Sequence, residues 1–322
     1  MTTLAFMFPK TLLCLALLIL TAASVRSQNQ ASPACPTEST LAFTLTDRAG
    51  ELIADVKKDD LTLKINGDLT PILGYECQAG LPVDLAILID VSLSQERALS
   101  FSKPAANVLI QQLLRSPNNR VALIAFSNQI EVQKLLTSNV SLLVAALDEV
   151  KVVYPPGYMG GGLVVDGQPP PRNSRTPGST SLWDTATATL EDIFPSARDE
   201  GRRRAVVLMT DGDDTASHGK LNAAIKSALD HGVAVYSIGM DGGGATVKRD
   251  SLKKISEETG GTAAFPKKRD DVVAALVEIQ NRLASQCTVS FCLGPKKTGP
   301  LNVRLDLTNS KFRDARLAYP RR

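Results

Sequence analysis

The chain has 322 residues, 43% of them hydrophobic, and a formal charge of +3. That length holds one large core with a smaller satellite. The near-neutral balance argues against a nucleic-acid-binding surface, and two histidines leave little room for imidazole chemistry.

The chain opens with Lys10, an apolar run from Thr11 to Ala23 and the small-residue stretch Ala22-Ala23-Ser24-Val25-Arg26-Ser27. These are the basic, apolar and cleavage regions of a secretory signal, predicted over residues 1–27. Removing 27 of 322 residues leaves 295, and losing Lys10 and Arg26 takes the charge from +3 to +1. The run is too short to span a bilayer comfortably, and no stop-transfer cluster follows it. The expected product is therefore secreted or periplasmic, with no stable membrane span after cleavage. A short N-terminal anchor is the alternative. Cys14 lies inside the apolar run, without the small-residue context of a lipidation site.

Residues 39–77 alternate with period two. Leu41, Phe43 and Leu45 share one face and Leu61, Leu63 and Ile65 another, while Asn66-Gly67 offers the positive torsions of a tight hairpin turn. The same alternation returns over residues 287–322, in Val289, Phe291 and Leu293 and in Leu301, Val303, Leu305 and Leu307, between the breakers Gly294-Pro295 and Gly299-Pro300. Neither flank has enough strands to bury a face alone, so the two are expected to pack into one small β-sandwich.

Residues 81–286 read differently. Continuous apolar strands, Leu85 to Ile89, Val121 to Phe126, Ala205 to Met209 and Val233 to Ile238, alternate with helix-period segments. An Ile130 to Leu136 segment is close enough to form a hairpin with the second strand. The predicted fold is α/β: a doubly wound, mostly parallel sheet covered by helices on both faces. The stretch 154–175 carries Pro155-Pro156, Gly160-Gly161-Gly162 and Pro169-Pro170-Pro171 and reads as a long loop, either a cover for the site or part of a partner surface, or only a disordered excursion.

Four cysteines remain after signal removal, and in an exported chain they are expected to form two disulfides. Cys77 lies just before the α/β region and Cys287 just after it, so the chain leaves and re-enters the sandwich at neighbouring points. This favours Cys77 with Cys287 and Cys35 with Cys292 among the connectivities that sequence leaves open.

Ligands bind such sheets at the carboxyl ends of the strands, where strand order reverses. Asp90-Val91-Ser92-Leu93-Ser94 follows the first apolar strand and Thr210-Asp211-Gly212-Asp213-Asp214 follows a later one, so both carboxylates leave by the same edge. Taken singly, the serines read as helix caps and Asp211 as a turn residue. Together, two carboxylates and several hydroxyls supply hard oxygen ligands suited to Mg²⁺, with Mn²⁺ or Ca²⁺ as alternatives.

Here the sequence resembles the von Willebrand factor type A family and its metal-ion-dependent adhesion site. The Asp-x-Ser-x-Ser motif is matched by Asp90, Ser92 and Ser94, with Leu93 where a small residue is common. The Thr in a Gly-rich approach to a helix is matched by Thr180 in Gly178-Ser179-Thr180-Ser181-Leu182, with Ser179 and Ser181 as nearby substitutes, and the third Asp is Asp211. Tyr236-Ser237-Ile238-Gly239 and the segment from Leu252 to Gly261 also look like that family's last strands and the helix between them. The flanking β segments and Lys58-Asp59-Asp60-Leu61-Thr62 resemble a bacterial secreted subgroup. The resemblance implies a metal-dependent protein-binding or adhesion module, in which the cation accepts an Asp or Glu from a protein, matrix or envelope partner.

The alternatives are a structural assembly module with an incidental metal, or a hydrolase using His218 near Asp211. No His-Glu-x-x-His helix, zinc cysteine spacing or Gly-x-Ser-x-Gly elbow supports an enzyme. Trp183 reads either as an interface aromatic or as a helix residue packed on the sheet, the second being favoured.

Overall fold

A computed structural model of the chain describes residues 35, 38–47, 53, 55–154, 179–194, 202–242, 246–293 and 301–321. The signal segment 1–27, nearly all of the 154–175 insertion and the breakers at 294–295 and 299–300 lie outside the described residues.

The first flank forms β1 (Glu38–Thr46), β2 (Leu61–Ile65), β3 (Asp68–Thr70) and β4 (Ile72–Ala79). The α/β region follows with β5 (Val83–Asp90), α1 (Leu99–Leu113), β6 (Arg120–Phe126), β7 (Ile130–Thr137), α2 (Val140–Glu149), α3 (Leu182–Ile193), β8 (Arg203–Thr210), α4 (Leu221–His231), β9 (Val233–Gly239), α5 (Arg249–Glu258), β10 (Ala263–Ala264) and α6 (Arg269–Ala284). The chain then returns through β11 (Ser285–Cys292), β12 (Val303–Leu307) and β13 (Arg316–Ala318).

Among the described residues, six strands form the central sheet in the order β10-β9-β8-β5-β6-β7. All neighbours are parallel except β7, which folds back antiparallel on β6 as the expected hairpin. β5 is buried along its whole length because both of its faces are covered, which explains its unbroken apolar run. Alternation still assigns its side chains: Leu85, Ile87 and Ile89 enter the core under α1, α2 and α6, while Ala86 and Leu88 enter the one under α3, α4 and α5. Each large aliphatic side chain buried in this way contributes about 1.5–3 kcal/mol.

The flanks build two antiparallel sheets, β13-β1-β11-β4 and β12-β2-β3. Each sheet mixes strands from both ends of the chain, and their inner faces share one core containing Leu41, Phe43, Leu63, Val289, Phe291 and Leu305. The β2–β3 turn places Asn66 at φ 54° and Gly67 at φ 89°, as the Asn-Gly pair predicts for a hairpin whose two central residues both need positive torsions. The cysteines pair Cys35 with Cys292 and Cys77 with Cys287. The second bond joins directly opposed residues of β4 and β11, the two strands by which the chain enters and leaves the α/β region.

Two buried arginines tie the sandwich to the sheet. Arg282 near the end of α6 donates to Thr46 Oγ1 at 2.8 Å and to Glu278 Oε1 at 2.9 Å. Arg203 at the start of β8 donates to the carbonyls of Gln78 and Leu283, on either side of the junction. At the same amino-terminal edge of the sheet, Asp84 accepts Arg120 Nη2 at 2.6 Å and Arg202 Nη2 at 2.6 Å. Burial opposes ionisation of Asp84, but the hydrogen bonds and charges of these arginines prevail and hold its carboxyl below the ordinary value.

A group with a depressed folded pKa stabilises the fold above its unfolded value, about 3.9, and that contribution is lost as pH falls through the lower folded value. Asp84→Asn is therefore expected to destabilise the protein by about 1–3 kcal/mol at pH 7, the exposed Arg120 limiting the effect. The loss should shrink in urea unfolding carried out near pH 3, and an unchanged midpoint at pH 7 would refute this account of the edge.

Candidate metal centre

Asp90 ends β5, and Thr210 ends the adjacent parallel strand β8. Register therefore brings the two motifs together: Thr210 Oγ1 donates to Asp90 Oδ2 at 2.5 Å. The other Asp90 oxygen accepts the Ser92 amide at 2.9 Å. Past the strand, the backbone turns into a short 3-10 segment, Leu93–Gln95, with Ser92 at its N-cap position but making no side-chain cap bond. The Ser92 hydroxyl instead lies 3.2 Å from that of Ser94. Simple helix capping thus does not explain the two serines. The loop after β9 presses on this turn at Gly242, where a Cβ would stand 1.8 Å from the Ser94 carbonyl. Only glycine fits so close an approach.

Asp211 follows Thr210 and is fully buried. Its Oδ1 accepts the Asp213 amide at 3.0 Å and its Oδ2 accepts the Gln95 side-chain amide at 2.9 Å. The expected turn role of Asp211 is therefore real, and it coexists with a position beside the β5 motif.

Thr180 precedes α3, a helix whose N-cap Ser181 makes no side-chain cap bond. The first amides of any helix need acceptors, and here the loop carrying Asp211 provides them. Leu182 N donates to Asp214 Oδ1 at 3.0 Å, and Trp183 N and Asp184 N donate to Ser217 Oγ at 3.0 and 3.1 Å. In return the Thr215 and Ala216 amides both donate to the Thr180 carbonyl at 2.9 Å, and Thr180 N donates to Thr215 Oγ1 at 2.9 Å. This exchange fastens Thr180 to the Asp211 loop. Ser181 is committed elsewhere, its amide donating to the Ser127 carbonyl at 2.7 Å. All five residues expected at the site thus sit at the carboxyl-terminal edge of the sheet. Asp90, Ser92, Thr180 and Asp211 are buried, and Ser94 is partly exposed.

The electrostatics of this edge are those of an uncompensated negative centre. Burial pushes the Asp90 carboxyl up to about 7 and the charge of Asp211 adds to the rise, against hydrogen bonds from Ser92 and Thr210 that lower it. Among the described residues no Lys or Arg pairs with Asp90 or Asp211; Lys248 stands 3.7 Å from Asp213 instead. Two buried carboxylates with hydroxyls alongside and no basic partner form a donor set that fits a hard divalent cation. No group of three or more His, Cys, Asp or Glu converges among the described residues, so such an ion would rely on hydroxyl ligands.

Other expectations resolve differently. His218 turns its Nδ1 to Asp184 Oδ2 at 3.4 Å and is exposed. The His218–Asp211 pairing required by the hydrolase alternative is therefore not formed, because the capping exchange draws His218 to the α3 N-terminus. Trp183 is buried in the core beneath α3, as favoured. Sequence reading did not single out Thr210, Gln95 or the capping residues Asp214, Thr215 and Ser217. Thr210 was adjacent to the motif, but its role depends on strand register.

Residues 83–153 and 172–282 each match a family model of the von Willebrand factor type A domain. The chain is a von Willebrand factor type A domain protein. Among solved structures it is similar to proximal thread matrix protein 1 from the mussel byssus, at 15% identity and a TM-score of 0.50, over 68% of this chain and 51% of that one. It thus spans about half the length of that protein. A von Willebrand factor type A structure from Catenulispora acidiphila matches at 13% identity and a TM-score of 0.48, over 88% of this chain and 72% of that one. No curated protein matches the sequence.

Because the folded Asp90 pKa is raised, the metal-free fold holds a proton that the unfolded chain releases between about pH 4 and pH 7, and its stability falls across that window. Asp90→Asn is accordingly expected to stabilise the chelated protein at pH 8 by about 1–4 kcal/mol, with little effect at pH 4. Thermal melts in EDTA at the two pH values check this; equal shifts at both would contradict it.

Proposed function

We propose that the protein is an exported, non-enzymatic binding module that recognises an acidic side chain of a protein, matrix or envelope partner through a divalent cation, Mg²⁺ foremost. Asp90, Ser92, Ser94, Thr180 and Asp211 are the residues assigned to hold it. The observation that carries this reading is the pair of buried carboxylates, Asp90 and Asp211, with no basic partner among the described residues. When bound, the cation offers a Lewis-acidic position to a partner carboxylate. The chain's own part is to hold the carboxylates in place, through Thr210, Gln95 and the backbone amides of Ser92 and Asp213. Ser94, partly exposed, marks the side from which a partner would approach.

Two disulfides support an oxidising compartment, and hence secretion or the periplasm. Among the described residues no helix is long and apolar enough to cross a membrane.

A second reading, a structural assembly module with an incidental metal, draws on the hydrogen bonds just named, which hold both carboxylates by protein groups alone. The two readings separate in one set of measurements. Mg²⁺ at a hundredfold excess over its Kd should stabilise the wild type by about 2.7 kcal/mol and leave Asp90→Ala unaffected. Capture of a partner from the native envelope should be lost both in EDTA and with Asp90→Ala. Capture that survives both treatments favours the assembly module and removes the metal reading.

A further inference from the structure

Gln95 follows the last serine of the motif, and the motif assigns it no role. It is 1% exposed. An apolar side chain would suit so buried a position, and burying an amide is costly unless its polar atoms are bonded. Its Nε2 donates to Asp211 Oδ2 at 2.9 Å and also lies 3.4 Å from the Met240 carbonyl. One side chain thereby spans three strand-end loops, those after β5, β8 and β9. The other oxygen of Asp211 accepts the Asp213 amide at 3.0 Å. With an N–H on each oxygen, the carboxylate cannot turn about its bond without giving up a charge-assisted hydrogen bond.

We propose that Gln95 is a positioning residue that commits Asp211 Oδ2 to an amide, and so keeps Asp211 from binding a divalent cation through that oxygen. This rests on the metal-binding reading above and deepens it. A carboxylate in direct contact would neutralise more of the ion's charge, whereas one held back leaves the ion a stronger acceptor for an acidic partner. Gln95 in this view trades affinity for the cation against affinity for the partner.

The test is a titration of the full chain with Mn²⁺, followed by water-proton relaxation, which reports both affinity and the number of exchangeable waters on the bound ion. Gln95→Met removes the donor at similar length. It is expected to bind Mn²⁺ roughly tenfold more tightly, by the loss of a competing charge-assisted hydrogen bond, and to carry fewer exchangeable waters because Asp211 replaces one. Gln95→Leu, which likewise lacks a donor, should change the hydration in the same direction and guards against a packing failure of the Met variant. Circular dichroism confirms that the variants are folded.

A merely structural Gln95 would weaken binding without altering the water count. That result, or wild-type affinity and hydration in both variants, overturns the inference and leaves the metal reading standing. A wild-type protein that takes up no Mn²⁺ removes the metal reading, and the inference with it.

Discussion

The burial of the Asp90 carboxylate at the end of the central strand is the constraint around which the carboxyl-terminal edge is organised. A charge there has lost its water, and among the described residues the chain supplies it only the Thr210 and Ser92 hydroxyls and the Ser92 amide. Those contacts are too few to hold the group at its ordinary acidity, which burial moves up to about 7. The rest of the edge shares this problem: Asp211 brings a second carboxylate from the neighbouring strand, and its contacts are likewise amides. A fold selected for stability alone would place apolar residues here, since replacing buried polar groups by apolar ones of similar shape is often neutral or favourable. Two carboxylates kept at the edge where α/β sheets bind ligands are what the metal-binding proposal rests on.

The same edge shows how separate segments become one structure. Parallel register between β5 and β8 sets Asp90 against Thr210. Capping of α3 by the loop after β8 then draws in Thr180 from beyond the long insertion. Neither device needs a metal, so the residues assigned to the proposed site are arranged by the protein alone, which would limit the ordering entropy that binding has to overcome.

Much of this was legible in the sequence because it rests on local pattern. The apolar runs marked β5, β6, β8 and β9, Asn66-Gly67 marked its hairpin, and the Asp after the β5 and β8 runs marked the carboxyl-terminal edge. The sandwich and the disulfide pairing followed from asking how two weak flanks could bury a face. What escaped depends on three-dimensional neighbours. β10 has two residues and β13 three, too few for periodicity to register. Gln95 looks like an ordinary helix-start residue until β8 and β9 bring Asp211 and Met240 to it. His218 was placed near Asp211 because both could lie on the same edge, but Asp184 captures it through a capping exchange that no spacing reveals.

The junction of the two modules has a geometric consequence. Arg203, Arg282 and the Cys77–Cys287 bond all lie at the amino-terminal edge of the sheet, whereas Asp90 lies at the far end of β5, about 25 Å away for a strand of this length. The sandwich thus lies at the opposite end of the sheet from Asp90. A support or fusion partner anchored on the sandwich side would leave the carboxyl-terminal edge, where the proposed site lies, outermost.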